Sequence, residues 1–161
     1  MKLAVIFNPN KFSGKLTKLF TGCYAYHVAW VDEASGKMWD MNLIRRRREW
    51  PHYADENVLL FDAPGQVNVE YLEHRLETDD NTYGWRDYVL FALRPLYHLV
   101  GKSTPNAGGV ICSEMVNDDI WMNGGRTPWP PEGPPPSPCD LYQFLSGRQV
   151  RPDSIVEVAN A

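Results

Sequence analysis

The chain has few cysteines, no long apolar run and no surplus of basic charge. Three cysteines in 161 residues are an odd and low number, which disfavours a secreted disulfide scaffold and favours a reducing compartment. No stretch approaches the roughly 20 apolar residues that a membrane span needs. The formal net charge of −4 disfavours a dedicated binder of nucleic acid or of anionic membranes, because such proteins usually carry a basic surplus.

The first residues do not have the pattern that a secretion signal requires. The apolar run from Leu3 to Phe7 is shorter than the apolar centre of a signal peptide, and Asn8 and Pro9 interrupt it. We therefore expect a cytoplasmic protein without a signal peptide. No glycine-rich phosphate loop and no internal repeat is present, and we expect no cofactor.

What is present is typical of one globular domain. A hydrophobic fraction of 43% and a charged fraction of 22% exclude global disorder. We predict a single domain over residues 1–161, long enough to bury a core. The pattern predicts strands at 3–7, 24–31, 37–44, 57–61 and 155–158, and helices at 68–76, 82–93, 110–122 and after Ser137. Strands followed by helices predict an α+β fold with an antiparallel sheet.

The predicted hairpin over residues 24–44 contains the most informative residue. If Asp32 pairs with Lys37 across the turn, one face is bulky and apolar, and the other carries His27 among alanines. Small neighbours leave room for another element to approach His27. Asp40 lies diagonally across and can orient the imidazole ring; a turn shifted by two residues would put Asn42 in that place. The alternative is that His27 is an ordinary structural histidine.

Cys112 is the candidate partner of His27. It lies at a predicted helix start after Gly108 and Gly109, where the helix dipole and free backbone N–H groups favour the nucleophilic thiolate. The same N–H groups can hold a developing oxyanion. Glu114 opposes this effect unless its side chain points away. The alternative is that Cys112 is a small buried residue, as most free cysteines are.

These segments resemble a known superfamily. The run Tyr26-His27-Val28-Ala29-Trp30-Val31, then Met38-Trp39-Asp40, and much later Ile111-Cys112-Ser113-Glu114 are similar to the circularly permuted papain-like (NlpC-type) cysteine hydrolases. That superfamily includes lecithin–retinol acyltransferase-like proteins and many small bacterial and tailed-phage proteins. In its members the histidine hairpin precedes the cysteine helix, as it does in this chain.

The resemblance implies a permuted papain-like fold in which an antiparallel sheet packs against the cysteine helix. It implies a cysteine peptidase or amidase with Cys112 as nucleophile, His27 as base and Asp40 as the residue that orients the base. The implied substrate is an amide, peptide or isopeptide bond or an acyl ester, such as a cell-wall stem peptide or a host protein. If the chain is encoded by a phage, the host cytoplasm is the expected location. We expect substitution of Asp40 to change stability little, because a catalytic triad that faces a cleft is not part of the core.

Other features support weaker hypotheses. The run of four arginines from Arg45 to Arg48 either grips an anion or is a solvated strand end, and the acidic net charge favours the second. Asp118 and Asp119 are interpreted as a surface pair on a helix. Cys23 and Cys139 are expected to be ordinary thiols.

Two other functional hypotheses remain open. In the first, Cys23 and His27 face Cys112 around a zinc ion, with Cys139 as a further candidate ligand, although paired CxxC spacing is absent. In the second, the chain has the same fold but binds without cutting.

Overall fold

The computed structural model describes residues 1–42, 44–53, 55–79, 93, 97, 99–101 and 111–147. The strands in these ranges are β1 (Lys2–Phe7), β2 (Ala25–Asp32), β3 (Lys37–Asn42), β4 (Ile44–Glu49) and β5 (Asn57–Asp62). The helices with described bounds are α1 (Phe12–Thr21), α2 (Val69–Thr78), α3 (Cys112–Met122) and α4 (Pro138–Leu145). The prediction of a mixed α+β architecture with an antiparallel sheet is confirmed.

The five strands form one antiparallel sheet in the order β4-β3-β2-β1-β5. In the hairpin of β2 and β3, Asp32 pairs with Lys37 and Ala29 pairs with Asp40. This is the register that the turn predicts. Because side chains alternate along a strand, it puts His27 and Asp40 on the same face of the sheet.

The two faces of the sheet are covered by different parts of the chain. The bulky face of Trp30, Trp39 and Met41 packs against α3 through Met115 and Ile120. The face with the smaller residues Ala29, Val31 and Met38 packs instead against Trp50 and Tyr53, which follow β4. Helix α3 therefore does not lie over the small-residue face, and the loop after β4 fills the room that the alanines leave.

Helix α1 and strand β4 were not predicted. Helix α1 ends where Gly22 adopts a left-handed conformation with a φ of 86°, which favours glycine. Strand β4 reads Ile-Arg-Arg-Arg-Arg-Glu, so no apolar alternation marks it. Nevertheless Arg45 and Arg47 point to one face and Arg46 and Arg48 to the other, and all but Arg46 pair with carboxylates of this chain.

The interpretation of Asp119 as a surface residue is wrong. Asp119 is fully buried and accepts hydrogen bonds from Trp30 Nε1 at 2.9 Å, Arg45 Nη1 at 3.1 Å and the Tyr71 hydroxyl at 3.0 Å. Its neighbour Asp118 is only partly buried. One carboxylate thus ties α3 to β2, to the β4 arginine and to α2.

The bonding state of Cys23, which follows α1, and of Cys139 in α4 also differs from the prediction. Cys23 and Cys139 form a disulfide across a sequence separation of 116 residues, with their Cα atoms 5.9 Å apart. The expectation that both are ordinary thiols is wrong, because the end of α1 and the first turn of α4 meet beside β2. Of the three cysteines, Cys112 keeps a free thiol.

Helix α4 begins after Ser137 as predicted, and its start has a capping box. Ser137 Oγ accepts the backbone N–H of Asp140 at 3.0 Å, and the Asp140 side chain accepts the backbone N–H of Ser137 at 2.9 Å. The predicted strand 155–158 and all but the last residue of the predicted helix 82–93 lie outside the described residues. Among the helices that the structure describes, none is long and apolar enough to cross a membrane.

Candidate active site

Cys112 is the first residue of α3 and is almost completely buried, with 3% of its surface exposed. The first backbone N–H groups of a helix have no partner within the helix, so a side chain here lies near free donors. The Glu114 carboxylate turns back and accepts the backbone N–H of Ile111 at 3.3 Å. Glu114 is therefore tied to the backbone just before the helix.

His27 and Asp40 meet across the hairpin as the register requires. His27 Nε2 lies 3.2 Å from Asp40 Oδ2, and the Asp40 carboxylate is fully buried. With Asp40 ionised, Nε2 donates to it, so Nδ1 is the ring nitrogen left to serve the thiol. Asn42, the alternative orienting residue, is exposed at the end of β3.

Strand β2 has an irregularity next to His27. The register between β1 and β2 shifts between the pair Ile6–His27 and the pair Phe7–Ala25. Such a shift re-aims side chains locally. Accordingly Ala25 packs in the core cluster that contains Cys112, while His27 lies on the face of Asp40.

The pKa of His27 depends on the charged groups around its ring. Burial alone would lower the pKa of the imidazole. The charge of Cys112, the hydrogen bonds to Asp40 and Cys112 and the charge of Asp40 together outweigh burial, and the pKa of His27 is raised to about 9. Cys112 is therefore near enough to His27 to raise the pKa of its ring.

Asp40 has two further partners that the sequence analysis did not identify. Arg48 Nε donates to both carboxylate oxygens at 3.1 and 3.2 Å, and the Tyr53 hydroxyl donates to Oδ2 at 3.0 Å. Burial opposes ionisation of Asp40, but the hydrogen bond and charge of His27 and the charge of Arg48 keep its pKa below the ordinary value. Asp40 is therefore an anion held from three sides.

One signal in the sequence could have identified Arg48. If the arginine run is taken as a strand paired with β3, Asp40 faces Arg46 across the strands, and Arg48 lies diagonally on the same face. The side-chain bonds go to the diagonal neighbour, while Arg46 remains exposed. No local pattern points to Tyr53, which reaches the site from an irregular segment.

A second polar cluster lies beside the site. The Tyr26 hydroxyl donates to Glu56, and Lys11 pairs with the same carboxylate. Burial, then the hydrogen bond to Glu56, raises the pKa of Tyr26, and the charge of Cys112 contributes to the same shift. Glu56 also lines a groove of about 850 Å³ whose walls include Phe7 and Tyr142. The described residues that line this groove do not include Tyr26, His27 or Cys112.

The disulfide removes two of the four ligands that the zinc hypothesis proposes. The hypothesis needs the Cys23 thiol, and Cys139 as a further ligand, but the two sulfurs are bonded to each other. In the part of the chain that the structure describes, no group of three or more His, Cys, Asp or Glu side chains is placed to hold a metal ion. Cys112 does lie near His27, but the hydrogen-bond partner on the other side of the ring is Asp40 rather than a further metal ligand.

The arrangement contains the groups that nucleophilic acyl transfer requires. A thiol lies at the start of a helix, an imidazole lies next to it, and a buried carboxylate orients the imidazole. The adjacent backbone N–H groups of the first helical turn are in the position of an oxyanion site. No protein-family model, no curated protein and no solved structure matches the chain.

Proposed function

We propose that this chain is a thiol hydrolase of the permuted papain-like type, which cleaves an amide, peptide or isopeptide bond. The observation that supports this most is the meeting of Cys112 with His27, whose Nε2 atom is held by Asp40 at 3.2 Å. The nucleophile lies on α3, the base on β2 and the orienting group on β3. The histidine hairpin thus precedes the cysteine helix along the chain, as the resemblance implies.

The proposed reaction has two steps. The Cys112 thiolate attacks the carbonyl carbon, an S–C bond forms, and the backbone N–H groups at the start of α3 stabilise the oxyanion. The C–N bond then breaks, and the amine leaves with the proton that His27 donates. His27 next removes a proton from water, which attacks the thioester and releases the acid and the thiolate.

A groove beside Glu56, which none of Cys112, His27 and Asp40 lines, is large enough for a peptide segment. Its volume of about 850 Å³ accommodates several side chains, and Phe7, Tyr24 and Tyr142 give it aromatic walls. We expect an extended peptide or isopeptide segment as substrate, with a cell-wall stem peptide and a conjugated host protein as the two candidates to assay.

Thiol labelling tests the nucleophile without a known substrate. We expect iodoacetamide to modify Cys112 at pH 7, and His27→Ala to slow this reaction at least tenfold, because the imidazolium stabilises the thiolate. Mass spectrometry of the labelled peptide measures the rate. Asp62→Asn, which changes an exposed carboxylate on β5, is the control and should leave the rate unchanged.

Turnover tests the whole proposal. Peptidoglycan fragments, isopeptide-linked proteins and simple acyl esters should be screened, with the Cys112 thioester trapped by acid quenching and detected by mass. Cys112→Ala and His27→Ala should each abolish nearly all activity, with little further loss in the double variant, because the two residues act as a unit. Equal activity in the Cys112→Ala protein would exclude the proposed nucleophile.

A non-catalytic domain is the second candidate, and the burial of the site favours it. Cys112 is 3% exposed and His27 is 7% exposed, so a substrate carbonyl needs a movement of the surrounding chain to reach the thiol. In that case the native protein should resist iodoacetamide at Cys112 and form no thioester with any substrate of the screen, while the Cys112→Ala protein folds normally.

A further inference from the structure

We propose that Arg48 is a positioning residue that shares the Asp40 carboxylate with His27 and so limits how strongly the ring holds its proton. This inference rests on the proposed role of His27 as the base. The contacts that support it belong to three different parts of the chain: the ring is on β2, the carboxylate on β3 and the guanidinium on β4.

Arg48 and Asp40 form an ion pair with well-defined hydrogen bonds. Nε of Arg48 lies 3.1 Å from Oδ1 and 3.2 Å from Oδ2, and the same Oδ2 atom faces His27 Nε2. The Asp40 side chain is fully buried and that of Arg48 is 21% exposed, so water screens this ion pair only partly. A single negative charge therefore lies between a permanent cation and a ring that becomes a cation when it takes a proton.

The charge balance gives the direction of the effect. A carboxylate beside an imidazole stabilises the imidazolium, and a guanidinium on that carboxylate weakens its field at the ring. The general acid and base of a hydrolase works best when it can both take and return a proton near the working pH. Arg48 thus keeps Asp40 ionised and in place without letting it hold His27 permanently protonated.

The remaining groups around the ring act in addition to Arg48. Besides Arg48, the titratable and charged side chains that face His27 or Asp40 from the described elements are Cys112 on α3, Tyr26 on β2, the exposed Arg46 on β4 and Tyr53 after β4. The Tyr53 ring also contacts His52. The Tyr53 hydroxyl bonds Oδ2 at 3.0 Å, so Asp40 keeps a second anchor when Arg48 is replaced. Beyond Tyr26 lie Glu56 and Lys11, which neutralise each other.

The experiment is a nuclear magnetic resonance titration of the His27 imidazole in a Cys112→Ser background, which removes the thiolate charge from the measurement. Arg48→Met should raise the pKa of His27 by about one unit. Arg48→Lys, which keeps the charge but not the guanidinium, should restore most of the original value. Tyr53→Phe should raise the pKa by less, because it removes a neutral donor.

Arg46→Met is the matched control. Arg46 is the directly opposite neighbour of Asp40 on the same strand and face as Arg48, but it is exposed. Its removal changes the net charge equally and should leave the His27 titration unchanged. An equal shift in the two Met variants, or an unchanged or lowered pKa in a folded Arg48→Met protein, would overturn the proposal. The titration needs no turnover. It can therefore succeed or fail independently of the iodoacetamide experiment, which tests the hydrolase proposal.

Discussion

At the scale of single residues, Asp40 decides both the chemistry and part of the stability of the site. The expectation that its substitution changes stability little does not fit its surroundings, because the carboxylate is fully buried and accepts bonds from His27, Arg48 and Tyr53. A buried charge that loses its partner is costly, and removal of Asp40 would leave Arg48 unpaired.

We therefore expect Asp40→Ala to lower the free energy of unfolding at pH 7 by about 3 kcal/mol or more, and Asp40→Asn to lower it by less, since the amide keeps part of the hydrogen bonding. The lowered pKa of Asp40 stabilises the fold above the ordinary carboxyl pKa, and this stabilisation is lost as the pH falls through the folded-state value. The deficit of Asp40→Asn should accordingly shrink in acid.

Urea denaturation at pH 7 and at decreasing pH measures this difference. Asp62→Asn is again the matched control, because Asp62 is an exposed carboxylate paired with Lys2, and its replacement should change stability little at any pH. A deficit of Asp40→Asn that stays constant down to the acid transition would contradict the assignment of a buried, ionised Asp40.

At the scale of elements, α3 is held by a carboxylate network at its middle as well as by apolar packing at both ends. Asp119 is bound by Trp30, Arg45 and Tyr71, and Arg45 also donates to Asp79 from Nε at 3.0 Å. Asp118, the residue just before Asp119 on the helix, is only partly buried. Burial, and then the negative charge of Asp119, raises the pKa of Asp118 to about 6.

The two neighbouring aspartates should respond to the same substitution in opposite ways. Asp119→Asn should lower the free energy of unfolding at pH 7 by about 3 kcal/mol, because it removes the buried anion that Arg45 needs. Asp118→Asn should raise the free energy of unfolding at pH 7. The raised pKa means that ionised Asp118 costs stability once the pH rises through about 6, and the amide avoids that cost.

Denaturant unfolding at pH 4 and pH 7 separates the two effects. The gain from Asp118→Asn should be present at pH 7 and mostly absent at pH 4, where the carboxyl is protonated in the folded state. A loss of stability in both variants would mean that the two side chains share one environment, contrary to the structure.

At the scale of the whole molecule, the disulfide closes a long part of the chain. Cys23 lies just before β2 and Cys139 in the first turn of α4, so the bond links the strand of His27 to the helix that follows the site helix. A bond across 116 residues restricts the unfolded chain strongly in the entropic description of disulfides.

We expect the double variant Cys23→Ser with Cys139→Ser to lose about 4 kcal/mol of unfolding free energy, measured by denaturant titration. A reducing agent should destabilise the unsubstituted protein similarly and leave the double variant unaffected. Thiol titration of the denatured, unreduced protein should find one free thiol, that of Cys112. Three free thiols, with no effect of the reducing agent, would contradict the bond.

Prediction from sequence worked best where the pattern is local. Turn residues after Asp32 predicted the register of β2 and β3, and the start of α4 was predicted after Ser137. It failed where long charged side chains hide periodicity, as in β4, where an irregular segment supplies the partner, as for Tyr53, and where the partner is distant in sequence, as for Asp119 and the Cys23–Cys139 bond. Distant partners leave no trace in local propensity because only packing brings them together.

The sequence by itself determined that His27 and Asp40 share a face, because side chains alternate along paired strands and the turn sets the pairing. It also placed Cys112 at a helix start. Only the tertiary structure decided that these two features lie close together, because β2 and the start of α3 are far apart in the sequence and packing alone brings them near each other. It likewise decided that Arg48 and Tyr53 hold Asp40, since β4 and the loop after it are placed by the whole sheet rather than by their own sequence.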